Sequence, residues 1–129
     1  MKKLIITIFA VFFFNPSFAE EPINFLCDAM FMYTYEDGEF EAISGNKSFT
    51  IYPQSKIYII GNEEGTYKER NNIITWRTWL IDSKPFVGDE YSLNRLSGEF
   101  TDSFGIMKDD TFIPSFTAKY QCNKIEPLF

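Results

Sequence analysis

The chain has 129 residues, 18 acidic and 12 basic, with a net charge of −6 and no histidine. Without an imidazole it has no Ser-His-Asp or Cys-His machinery, no histidine-based zinc or copper site, and no pH switch of the usual kind. The negative surplus disfavours nucleic acid and anionic lipid as partners, and admits a cationic protein without requiring one.

Met1-Lys2-Lys3 is a short positive head, Leu4–Phe14 is an unbroken apolar run, and Asn15-Pro16 ends it. Ser17-Phe18-Ala19 then places small residues three positions and one position before Glu20. This is the pattern of a secretory signal peptide over residues 1–19. As a helix the apolar run would span only about 16 Å, well short of the roughly 30 Å needed to anchor the chain in a bilayer. Asn24-Phe25-Leu26 before Cys27 is not a lipoprotein signal. The lysine-headed, phenylalanine-rich leader has a bacterial character, so the expected destination is the periplasm, with no stable membrane insertion after cleavage. Cleavage leaves residues 20–129, a length suited to one domain, and removes two lysines, taking the charge to −8.

Residues 20–26 read as extended or as a single helical turn. In Cys27–Tyr35 the residues Cys27, Ala29, Phe31, Tyr33 and Tyr35 alternate with Asp28, Met30, Met32 and Thr34, which predicts a strand with one aromatic inner face. Glu36-Asp37-Gly38-Glu39 is turn chemistry rather than a calcium loop. Short strands are expected over Phe40–Ile43, Ser48–Tyr52 and Lys56–Ile60, and a polar, glycine-punctuated loop over Gly61–Asn72. Ile73–Ile81 (IITWRTWLI) and Glu90–Phe100 (EYSLNRLSGEF) read as the middle of a sheet, the first buried on both faces. Asp82–Asp89 connects them, and Gly98 marks a bulge or bend. Thr101–Asp110 allows a short irregular strand, Ser115–Cys122 a final one, and Asn123–Phe129 a tail. No window holds a helical period. About seven short strands predict an all-β domain, a small antiparallel barrel or sandwich of meander type.

Cys27 and Cys122, an isolated pair 95 positions apart in an exported chain, are expected to form a disulfide that pins the first strand to the last. With the thiols bridged and no phosphate loop or dinucleotide fingerprint, the sequence carries no cofactor motif and no metal-ligand pattern. A carboxylate pair or a Ser–Lys pair remains as a catalytic option, but 18 acidic residues supply many carboxylate pairs by chance. Asn94-Arg95-Leu96-Ser97-Gly98 is the most distinctive string. Arg95 is read either as a recognition arginine or, preferentially, as one laid on a ring or paired with a carboxylate of a neighbouring strand. Arg77 carries the same two readings. Arg77, Asn94 and Arg95 are thus the candidate binding residues.

Tyr91–Gly98 and Ala118-Lys119-Tyr120-Gln121-Cys122, with a tryptophan strand before them and an early cysteine after a leader, resemble a group of small exported proteobacterial proteins. No activity attaches to that resemblance. In size, charge, leader and disulfide the chain is also similar to periplasmic inhibitors of c-type lysozyme. That resemblance implies an eight-stranded barrel with a Ser-Gly inhibitory loop. The nearest string here is Ser44-Gly45-Asn46-Lys47-Ser48-Phe49, which departs from most of their loop pattern. Two functions are therefore expected in order of preference. One is a non-enzymatic periplasmic binding or inhibitor-like protein, recognising its ligand on loops such as Ser44–Ser48, Gly61–Asn72 or Asp82–Asp89. The other is a small carboxylate-dependent hydrolase acting on an envelope glycan.

Overall fold

The computed structural model describes residues 21–81 and 84–125. The leader, the Asp82-Ser83 part of the expected connector and the last four residues lie outside them. The described chain is all-β. Its strands are β1 (Ile23–Thr34), β2 (Glu39–Ala42), β3 (Asn46–Tyr52), β4 (Ile57–Ile60) and β5 (Glu63–Thr66). They continue with β6 (Lys68–Arg70), β7 (Ile73–Ile81), β8 (Phe86–Asn94), β9 (Glu99–Lys108) and β10 (Thr111–Ile125). All pairings are antiparallel, in the order β5-β4-β3-β1-β10-β9-β8-β7-β6, with β2 beside the far half of β1.

The two ends of that order are one continuous run of chain. β5 pairs with β4, β6 pairs with β7, and only Tyr67 separates them. The segment expected as a loop over Gly61–Asn72 is therefore a bent strand that brings the sheet's edges together into a nearly closed barrel. Its polar composition hid this, because one side faces water while Tyr67 enters the core and donates its amide to Lys56 O at 2.9 Å. Closure removes two free edges that would otherwise invite pairing with other chains.

Inward residues fall in layers. Ile51, Ile74, Leu93 and Phe100 are fully buried. Trp76 sits beside them between Tyr58 and Tyr91, with ring centroids 4.8 and 5.2 Å away and nearly parallel planes. Phe49 meets Trp76 edge-on at 5.5 Å and Phe100 at 4.9 Å. This aromatic stack supplies large apolar area in a small barrel, which strands of short alternating residues could not. Cys27 and Cys122 stand directly opposite each other on β1 and β10 and are bonded, as expected.

β7 has the expected limits, but only one of its faces is buried. Ile74 and Trp76 point inward, whereas Ile73, Trp79 and Leu80 are exposed. Glu90–Phe100 is not one strand. β8 ends at Asn94, and Gly98, at φ +79°, closes a turn into β9, so Tyr91, Leu93 and Phe100 all share the inner side. The irregular segment expected at Thr101–Asp110 is, through Lys108, most of a ten-residue strand, and Asn123–Ile125 extends β10 rather than forming a tail.

A row of irregular positions crosses the sheet where the strands bend. Pro114, Gly105, Gly88 and Trp79 are opposed in succession on β10, β9, β8 and β7. Bulges at Ser115 and Leu80 flank the row. A Cβ on Gly88 would collide with the Thr78 carbonyl, and one on Gly105 with that of Ile113. Glycine and bulges are the means by which a sheet turns this sharply.

The third bulge changes the surface. Between Ala29 and Phe31 the β1 register shifts by one residue at Met30. Up to Ala29 the odd residues face inward with Cys27, but beyond it Phe31 and Tyr33 lie opposite Lys119 and Thr117. That is the outer face, away from Ala118 and Cys122. The single aromatic inner face expected for Cys27–Tyr35 is thus split by one inserted residue, because a one-position slip moves every later side chain across the sheet.

Candidate functional site

The three predicted binding residues are all engaged within the chain. Arg95 Nη1 donates to Glu69 Oε2 at 3.0 Å and Oε1 at 3.3 Å. Lys56 Nζ approaches the same carboxylate at 3.3 Å. Burial alone would raise the Glu69 pKa, but these two cations hold it below the usual carboxylate range. Asn94 Oδ1 accepts from Leu96 N at 2.9 Å and Ser97 N at 3.1 Å, an Asx turn that shapes the β8–β9 corner. Arg77 Nη2 stands 2.7 Å from Glu90 Oε2 on the neighbouring strand, with its guanidinium over the Phe112 ring. These are the carboxylate-paired arrangements expected of structural arginines. The geometry does not gather the three into one site.

Sequence reading missed a polar layer inside the barrel. On β3, β7, β8 and β9 the position one inward step beyond Phe49, Trp76, Tyr91 and Phe100 is Lys47, Thr78, Asp89 and Asp102. Alternation of two would have found it, had the β8–β9 corner been placed. Lys47 Nζ lies 3.0 Å from Asp102 Oδ2 and about equally far above the Tyr120 and Tyr91 rings, at 5.6 and 5.9 Å. Burial would lower the Lys47 pKa, but Asp102, by charge and hydrogen bond, more than offsets this and raises it. Asp89 is pushed up to about 8, first by burial and then by its hydrogen bond to Asp102 and the charge of that carboxylate. Asp102 Oδ1 is buried with no hydrogen-bond partner among the described residues. Tyr91 is likewise held well above the usual phenol range by burial.

This cluster can hold a proton. It is a polar layer beside the aromatic core, in which Lys47 and Asp102 are paired and Asp102 Oδ1 stands without a partner.

Outside the barrel the Met30 bulge builds a second feature. The Tyr33 ring packs against both Tyr35 and Phe40 with centroids 4.8 Å away, and Phe31 meets Phe40 at 5.3 Å. Tyr35 Oη and Thr117 Oγ1 are 3.0 Å apart, tying the hairpin to β10. With Thr117 and Lys119 these rings line a groove of about 410 Å³. Phe40 remains 68% exposed and Tyr35 47%. Of the loops expected to recognise a ligand, Ser44–Ser48 runs into β3, and Gly61–Asn72 and the second half of Asp82–Asp89 are strand. The aromatic surface belongs instead to the turn at Tyr35–Gly38 and its flanks.

Comparison of the chain with protein-family models, with curated proteins and with solved structures gave no match.

Proposed function

We propose that this chain is an exported periplasmic binding or inhibitor-like protein that works without chemistry of its own. The observation that carries this reading is the outward aromatic cluster of Phe31, Tyr33, Tyr35 and Phe40. A monomer has little reason to hold several rings together in water, and such clusters are the usual anchors of an interface. The leader pattern of residues 1–19 and the Cys27–Cys122 disulfide support export to an oxidising compartment.

The test is capture from periplasmic extract by immobilised protein, comparing wild type with a Tyr35→Ser/Phe40→Ser variant whose fold is checked by circular dichroism. Wild type should begin at Glu20 and retain a partner that the variant loses. Hydrolysis of peptidoglycan by wild type, abolished in Asp102→Asn, would instead favour the carboxylate-dependent hydrolase.

A further inference from the structure

Resting on that reading, we propose that the occupant of this surface is an extended basic segment of another protein, which adds as a strand to the free edge of β2.

β2 is hydrogen-bonded to β1 alone among the described residues, and all four of its residues are exposed. Its outer edge therefore offers unpaired backbone donors and acceptors, the footing for strand addition. The side chains say what would be accepted. Phe40 lies opposite Tyr33 and so belongs to the aromatic outer face. Glu39 and Glu41 lie opposite Thr34 and Met32 and so point to the other face. Glu36 and Asp37 add two carboxylates in the adjoining turn, and the run from Glu36 to Ala42 contains no basic residue. Among the described residues none of these four carboxylates is in an ion pair. The one cation in the groove, Lys119, is paired with Glu99 at 3.3 Å.

A strand laid along this edge would place alternate residues beside Glu39 and Glu41, where a cation is favoured. The residue between them would lie beside Phe40, where an apolar or aromatic side chain is favoured. The matching pattern is basic–apolar–basic. A second copy of the chain fits poorly, since it would bring four further carboxylates against these four. Charge at a free edge also guards against self-association. That same repulsion is what would admit a basic strand and refuse an acidic one.

The experiment is a nuclear magnetic resonance titration of isotope-labelled protein purified from the periplasm. The probes are three short peptides that alternate valine with lysine, threonine or glutamate. The lysine peptide should perturb amides of residues 36–42 and slow their hydrogen exchange. It should bind at least about tenfold more tightly than the threonine peptide and weaken with salt, while the glutamate peptide should not bind. Glu39→Lys/Glu41→Lys, a change confined to exposed side chains, should reverse the preference towards the glutamate peptide. Equal responses to all three peptides, no response to any, or perturbation centred away from β2 would overturn the basic-strand inference. So would concentration-dependent self-association through residues 39–42. None of those results would touch capture by the aromatic cluster, whereas capture undiminished in Tyr35→Ser/Phe40→Ser would remove the binding surface itself.

Discussion

Lys47 and Asp102 meet at 3.0 Å where the aromatic core gives way to polar side chains. A carboxylate this buried needs its ammonium partner. Lys47→Met should therefore destabilise the fold by about 2–4 kcal/mol, somewhat less than a fully buried pair because Lys47 keeps partial access to water. Lys47→Met combined with Asp102→Asn should recover most of that loss. Chemical denaturation of the two variants checks it.

Asp89 makes stability depend on pH in a direction unusual for a carboxylate. Its pKa in the fold, about 8, lies above the ordinary value, so the folded state binds more protons than the unfolded state between these limits. Its contribution is thus fully present below about pH 4 and is lost as pH rises through about 8. Glu63, Asp102 and Lys47 all face it, with Lys47 opposing the other two. Asp89→Asn, which keeps the uncharged form, should gain on wild type in urea midpoint between pH 5 and pH 9. A constant difference across that range would contradict the assignment.

At the opposite end of β8, Arg95→Ala should cost about 1–3 kcal/mol, because Glu69 would be left with only the more exposed Lys56. Arg95→Lys should restore part of the loss, since it keeps the charge but not the rigid planar guanidinium that fixes Nη1 between the two oxygens. Partner capture should survive in both variants when folded. Unchanged urea midpoints with lost capture would return Asn94–Gly98 to the status of a recognition element.

The Cys27–Cys122 bond closes nearly the whole barrel, joining directly opposed residues of β1 and β10. Replacing both by Ser should cost about 2–5 kcal/mol. Intact mass should lie two hydrogens below the reduced value, and free thiols in undisturbed exported protein would contradict the pairing in solution.

The class of fold could be read from the chain because its signals are local. Ile73–Ile81 is rich in β-branched and aromatic residues, Asp37-Gly38 marks a turn, and two lone cysteines leave one pairing. What escaped depended on single residues whose meaning is set by tertiary context. Tyr67 is one ring in a polar run, yet it pulls that run into the wall of the barrel. Leu96 looks like a strand position but stands 80% exposed at a corner drawn by Asn94 and Gly98. Met30 is an ordinary residue, and nothing in its neighbours announces the bulge that turns Phe31 and Tyr33 outward. For the same reason Lys47, Asp89 and Asp102, on β3, β8 and β9, could not be brought together without placing the β8–β9 corner and the order of the sheet.

Site-specific photo-crosslinking in living cells tests most directly whether the protein is bound through its aromatic hairpin. A photo-reactive residue in place of Phe40 and one in place of Leu96 compare two exposed apolar positions, one on β2 and one at the β8–β9 corner. Neither substitution disturbs the core. The expected result is a discrete cross-linked partner from position 40 and none from position 96. Adducts from position 96 alone would contradict the account and move the binding surface to the Asn94–Gly98 turn.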